Sequence, residues 1–211
     1  MSRKVHLVGI GGAGMSAIAS VLLERGEQVT GSDRAHSPYA DELERRGVNI
    51  AYQHQADNVI GADLVVASSA VPEENVELRT AREQGIPVLR RAAFLSELTA
   101  GYRTIAVAGT HGKTTTTGMI AWILEQDGRS PTFIVGGMLS DLGGNARAGA
   151  GSEFVIEADE YDRTFLGLHP DVAVVTNVEL DHPDCYPTLK AFTQAFAQFS
   201  DQVGSMLFVC S

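Results

Sequence analysis

The 211-residue sequence predicts an α/β fold built on parallel sheets, and three observations carry that prediction. Short apolar runs alternate with stretches of helical spacing along the whole chain. The runs are continuously apolar, as expected of strands covered on both faces. Twice, such a run leads through a glycine-rich loop directly into a helix, the entry to a strand–helix–strand unit.

Taken in order, the strand-like runs are KVHLVGI (4–10), EQVTGSD (27–33), DLVVASSA (63–70), TIAVAG (104–109), PTFIVGG (131–137), EFVIEAD (153–159), VAVVTNV (172–178) and MLFVC (206–210). Helices are predicted from near Ala13, over 38–46, over 74–84, and from Lys113. In the last helix Leu189, Phe192, Phe196, Phe199 and Val203 recur at helical spacing and are expected to form a buried stripe. A boundary is expected near LSELTAGYRT (95–104), where Gly101 can end a helix before a new strand begins. That gives domains over 1–101 and 102–211. The final MLFVCS stops on a freshly started strand, whereas a complete parallel-sheet domain would close with a helix, so a piece of a longer chain is expected.

Composition narrows the partners. A net charge of −10 argues against broad nucleic-acid binding, which leaves a basic footprint, but not against one phosphorylated small molecule. The two cysteines, Cys185 and Cys210, lack the paired spacing of a disulfide framework or thiolate metal site. No apolar run reaches membrane-spanning length, and a reduced cytosolic setting is expected.

The first loop, GIGGAGMS, satisfies G-x-G-x-x-G with Gly9, Gly11 and Gly14, and Asp33 follows at the end of the next strand. Such glycines let backbone amides approach a pyrophosphate resting on a helix N-terminus, the Rossmann-like arrangement. NAD, FAD or a UDP-linked compound would each suit it; the plain alternative is a tight strand–helix turn. The second loop, GTHGKTTTT, carries Gly109, Gly112, Lys113 and Thr114. The eight-residue phosphate-loop pattern would need glycine at Val107, so this loop is two residues shorter but keeps the working parts. Gly112 lets amides converge, Lys113 supplies charge and Thr114 offers a hydroxyl to a metal. The fold expected is therefore a Rossmann-like domain followed by an incomplete P-loop-type α/β domain.

Two acidic or mixed clusters sit just past later strands. EFVIEADEYDRTFL holds Glu157, Asp159, Glu160 and Asp162, and TNVELDHPDCY holds Asn177, Asp181 and His182. Magnesium takes only one or two oxygens from protein, so one of these acids would be sufficient. An acidic surface turn and a structural histidine are the plain alternatives.

HLVGIGGAGMSAIASVLL, GSD, SSAV, AVAGTHGKTTTT, IEADEYDRTFL and TNVELDH, in this order, resemble the Mur ligases of peptidoglycan synthesis. The resemblance spans essentially the whole chain and includes the shortened phosphate loop. It implies that the first domain binds UDP-N-acetylmuramate, with Gly11, Gly12, Ala13, Gly14, Met15 and Ser16 at the diphosphate. Asp33, His54, Ser68 and Ser69 would line the rest of that site. It implies that ATP and Mg2+ bind the second domain through Gly109, Thr110, His111, Gly112, Lys113, Thr114, Thr115 and Asn177. Thr114, Glu157 and His182 would hold metal, and Lys113, Glu157 and His182 would carry catalysis. The implied small-molecule substrates are UDP-N-acetylmuramate, ATP and L-alanine, joined through an acyl phosphate, with a C-terminal amino-acid-binding domain missing from this stretch. The tyrosine of EADEYD also occurs in a related member that attaches a whole peptide to the same sugar nucleotide, which stays open as an alternative. An NAD oxidoreductase leaves the second loop idle, and a phosphate-loop ATPase leaves the first one idle. For this stretch alone, a non-catalytic nucleotide-binding module is the reading from another class.

Overall fold

The computed structural model describes residues 2–210. Its described residues form two compact units, 2–91 with 146–148, and 92–145 with 149–210.

The first unit carries β1 (Lys4–Val8), α1 (Ala13–Glu24), β2 (Gln28–Ser32), α2 (Pro38–Arg45), β3 (Asn49–Ala51), β4 (Leu64–Ala67), α3 (Val76–Glu83) and β5 (Val88–Arg90). Its sheet runs β3-β2-β1-β4-β5, with each of these neighbours paired in parallel. The order reverses between β1 and β4, and open parallel sheets bind ligands outside the strand ends at such a switch point. Side chains of β1 and β4 are almost fully buried, as continuous apolar runs require. The helices start on local signals: Ser37 accepts from the Ala40 amide ahead of Pro38, and Asn75 accepts from the Glu77 amide.

The second unit carries all but the first residue of α4 (Arg91–Thr99), β6 (Arg103–Ala108), α5 (Lys113–Gln126), β7 (Thr132–Leu139), the first half of β8 (Gly144–Arg147), β9 (Glu153–Glu157), β10 (Val172–Val175), α6 (Leu189–Asp201) and β11 (Met206–Val209). Its sheet order is β11-β10-β6-β9-β7-β8. The strand that feeds the phosphate loop, β6, lies between β9 and β10, both parallel to it. Packing groups α4 with this unit, ahead of the break expected at Gly101. The backbone of Ala92 lies so close to Gly167 that a side chain at 167 would collide with it.

Most strands end earlier than their apolar runs. β4 stops at Ala67 and β10 at Val175; beyond β10, Thr176 and Asn177 bond with the backbone of His111. In α6 the stripe is narrower than its spacing suggested. Phe192, Phe196 and Phe199 are buried; Phe199 stacks on Phe165, Phe196 meets Phe165 edge-on and Phe192 packs against Phe196, whereas Leu189 is half exposed in the first turn and Val203 lies past the helix end. Among the described residues, no helix is long and apolar enough to cross a membrane.

Candidate functional site

The first unit opens a cleft of about 440 Å³ at the carboxyl ends of β1, β2 and β4. Gly9, Gly11 and Gly12 form one wall, Asp33 to Ser37 another, and His54, Ser68 and Ala70 to Pro72 complete it. Gly9 has φ +83°, and a Cβ there would sit 3.0 Å from the Ser68 Cβ, so the two strand-end loops require glycine at this point. The Asp33 carboxylate accepts from the Gly11 amide at 2.8 Å, and Ser37 donates to the Gly11 carbonyl at 2.8 Å. The loop is thus held by its neighbours. α1 begins at Ala13 with no side-chain cap, which leaves first-turn amides and the positive end of the helix dipole for an anion.

The structure sorts the residues expected in this cleft. Gly11, Gly12, Asp33, His54 and Ser68 line it. Met15 is buried in the core, and buried Ser16 donates its hydroxyl to the Ala13 carbonyl and its amide to Gly12. Neither side chain is presented, so Ala13, Gly14 and Met15 have only backbone to offer. Ser69 is exposed and lies outside the lining residues.

In the second unit the loop from Gly109 to Gly112 caps β6 and enters α5. Gly109 has φ +133°, and a side chain there would collide with the Thr176 hydroxyl and the Asn177 backbone. Gly112, at φ +81°, is the left-handed N-cap of α5. Two side chains brace the loop. Asn177 accepts from the His111 amide at 3.0 Å and donates to the His111 carbonyl at 3.1 Å, while Thr110 bonds both ways with the Glu179 backbone at 2.9 Å. Asn177 and Thr110 therefore act as staples, and the exposed His111 and Thr115 face outward.

Two polar groupings meet at the start of α5. In the first, Thr114 donates to Glu157 Oε1 at 3.1 Å, and the Gly136 amide donates to Glu157 Oε2 at 2.6 Å. A Cβ on Gly136 would come within 2.7 Å of that carboxylate, and one on Gly137 within 3.2 Å of Thr114. A hydroxyl and a carboxylate converging on one point are the hard oxygen donors that suit Mg2+, with phosphate and water supplying the rest. In the second, Lys113 donates to the Gly109 carbonyl at 2.6 Å and to Glu160 Oε1 at 2.9 Å. His182 Nε2 stands 3.4 Å from the same Glu160 oxygen.

Glu160 is 1% exposed, and its second oxygen is buried without a hydrogen-bond partner. Its carbonyl accepts from Tyr186 at 2.6 Å; burial pushes that phenol up to about 12. Asp162, Arg163 and His182 all adopt positive φ without being glycine, backbone held by its surroundings as at many functional sites. Tyr161 packs edge-on against His182 and donates to Asp184 at 3.0 Å; that bond pulls the Asp184 carboxyl below its ordinary value.

The residues expected to hold metal are thus split: Thr114 and Glu157 share one point, while His182 pairs with Glu160 and Lys113. Among the described residues, the one group of three or more possible ligands at metal spacing is the exposed His36, Asp41 and Glu44, in the first unit. Sequence reasoning missed three contributors. Glu160 was one of four acids with nothing to single it out, and Gly136 and Gly137 were signalled only by a GG pair ending a strand. A separate apolar groove of about 620 Å³ on the outer face of α5 begins at Thr114 and Thr115 and continues over Met119, Trp122 and Ile123.

Two family models match the chain. The Mur ligase family catalytic domain covers residues 4–103 and the Mur ligase middle domain residues 107–210. The chain belongs to the Mur ligase family. Within it, the chain is 51% identical over 208 residues to UDP-N-acetylmuramate--L-alanine ligase of Roseiflexus castenholzii, covering 97% of this chain and 44% of that one. A crystal structure of the UDP-N-acetylmuramate-alanine ligase of Thermotoga maritima matches with TM-score 0.86 and 34% identity, over 97% of this chain and 49% of that one. The UDP-N-acetylmuramate:L-alanyl-gamma-D-glutamyl-meso-diaminopimelate ligase of Neisseria meningitides matches with TM-score 0.90 and 30% identity, over 99% and 71%. The chain spans less than half the length of the curated relatives it matches.

Proposed function

We propose that this chain carries the UDP-sugar-binding and ATP-binding parts of an ATP-dependent ligase joining L-alanine to the lactyl carboxylate of UDP-N-acetylmuramate. The observation that carries the reading is the pairing of two strand–glycine loop–helix sites, the second with Thr114 and Glu157 converging beside Lys113. In the reaction, a lactyl carboxylate oxygen attacks the γ-phosphorus and the bond to ADP breaks, giving an acyl phosphate. The amine of alanine then attacks the acyl carbon, phosphate leaves, and the nitrogen gives up a proton.

Phosphoryl transfer of this kind needs alignment and charge neutralisation more than a protein nucleophile. Lys113 and the first-turn amides of α5 would hold the phosphates, Lys113 giving up Glu160 and the loop carbonyls to do so. Thr114 and Glu157 would hold Mg2+, which when bound neutralises phosphate charge. His182 would meet the transferring group from the next loop. In the first unit Gly11 to Met15 would hold the diphosphate by backbone, and Asp33, His54 and Ser68 the remainder.

A second reading, attachment of a preformed peptide to the same sugar nucleotide, is supported by the tyrosine of EADEYD, Tyr161, and by the likeness to the Neisseria enzyme. Identities of 51% with the Roseiflexus ligase and 34% with the Thermotoga one support the alanine-adding reading. Separate calorimetric titrations of UDP-N-acetylmuramate and ATP test the two sites. Gly14→Val is expected to weaken only the first ligand, since it adds bulk beside the uncapped first-turn amides of α1, and Lys113→Ala only the second. Unchanged ATP affinity in Lys113→Ala would overturn the assignment of the second loop.

A further inference from the structure

Behind the wall of the first cleft lies a buried polar group that the proposed reaction does not use. Glu77, at the start of α3, is 0% exposed. Its Oε2 accepts from Ser32 at 2.6 Å and lies 2.8 Å from His54 Nδ1. Its Oε1 accepts from Asn58 at 2.5 Å and lies 3.7 Å from His6 Nε2. The His54 ring borders the cleft, and its Nε2 makes no hydrogen bond among the described residues.

We propose that Glu77 is a positioning residue that fixes His54 as the Nδ1–H tautomer, so that Nε2 accepts a hydrogen bond from the nucleoside end of the UDP group. The proposal rests on reading this cleft as the UDP site. An ionised carboxylate can only accept, so the nitrogen facing it must carry the proton, and in the neutral ring the other nitrogen is left with a lone pair. Glu77 stays ionised despite its burial. Desolvation, which would raise its pKa, is outweighed by hydrogen bonds from its neighbours and by the facing His6, and the carboxyl is held down to about 2. The anion also lies at the N-terminal end of α3, where the helix dipole favours it. His54 follows β3, on the far side of β2 from the β1 glycine loop, so a diphosphate at that loop directs the nucleoside toward His54. The chemistry recognised is a hydrogen-bond donor, either a ribose hydroxyl or the uracil imide N–H.

The test uses histidine labelled with 15N and UDP as the probe. In the wild-type chain, long-range 15N–1H correlation is expected to show neutral His54 protonated at Nδ1, with the Nε2 signal moving when UDP binds. An Nε2–H ring would overturn the proposal without any variant. Glu77→Gln can donate to Nδ1 and move the proton to Nε2, and UDP affinity should fall about tenfold, the loss of one hydrogen bond. His54→Gln presents an amide group near the Nε2 position and has no tautomer to set. In that background Glu77→Gln should change UDP affinity less than about twofold, within the range of additive neighbours. Equal weakening in both backgrounds would make Glu77 merely structural and overturn the proposal. 2′-Deoxy-UDP and N3-methyl-UDP separate the two donors: the one that loses affinity in the wild type but not in Glu77→Gln identifies the group, and if neither does the proposal falls. A wild-type chain that keeps the Nδ1–H ring but does not bind UDP would overturn the reading of the cleft, and the ligand proposed for Nε2 with it.

Discussion

Removing Lys113 should injure the fold as well as the ligand site, and the two losses can be separated. Its ammonium is the cationic partner of Glu160, at 2.9 Å, and Glu160 is 1% exposed with one oxygen already lacking a hydrogen bond. Lys113→Ala would leave a buried carboxylate with only the His182 ring, 3.4 Å away, facing it. Stranding one member of a buried ion pair typically costs about 3–5 kcal/mol. Lys113 is itself partly reached by solvent, so the lower end, about 3 kcal/mol, is expected. Neutralising the stranded partner should recover most of this, making Lys113→Ala/Glu160→Gln more stable than Lys113→Ala by about 2 kcal/mol. Urea unfolding followed by fluorescence is the assay, because the single tryptophan, Trp122, lies on α5, the helix that Lys113 begins. ATP binding should be lost in both variants. A double variant destabilised by the sum of the two single losses would refute the reasoning, since Lys113 and Glu160 would then not be coupled.

Two further outcomes follow from the geometry. Gly136→Ala places a Cβ within 2.7 Å of the Glu157 carboxylate, so magnesium-dependent ATP binding should fall by about tenfold or more, while binding without magnesium changes little; calorimetry with and without the metal checks this. Glu77 sets an acid limb on the stability of the first unit. Its folded pKa is depressed, so its contribution is complete above the ordinary 4.5 and is lost as pH falls through about 2. At about 1.36 kcal/mol per unit this is on the order of 3 kcal/mol, and Glu77→Gln should flatten that limb in an acid titration followed by circular dichroism.

Much of this architecture could be read from residue order. The glycine loops, the eight strands that carry an apolar run and the start of α5 all rest on local signals: an apolar run, glycine where φ is positive, and helical spacing after it. β3 and β5, at three residues each, are too short to show a period, β8 (GNAR) has no apolar run, and α4 was legible only by its end. The site was legible as motifs but not as pairings. Nothing local distinguishes Glu160 from Asp159 or Asp162; only the turn after β9 puts one of them, Glu160, against Lys113. Glu77 was hidden for the same reason, since its partners arrive from two other stretches of chain, Ser32 from β2 and His54 and Asn58 from the connection between β3 and β4. Met15 and Ser16 read as ligand residues because the motif includes them, yet helix geometry turns their side chains inward.

The placing of β6 between β9 and β10 has a consequence for how this site can fail. Val107 is paired with Glu157, and Ala108 with Val175, so the ladder of backbone hydrogen bonds meters the distance from phosphate loop to acid and to histidine. Such a ladder moves only in steps. A slip of one residue turns Glu157 to the opposite face, and a slip of two carries it about 7 Å away along the strand. Small drifts are therefore unavailable to the Thr114–Glu157 spacing: the sheet behaves as a vernier that is either in register or a whole notch out.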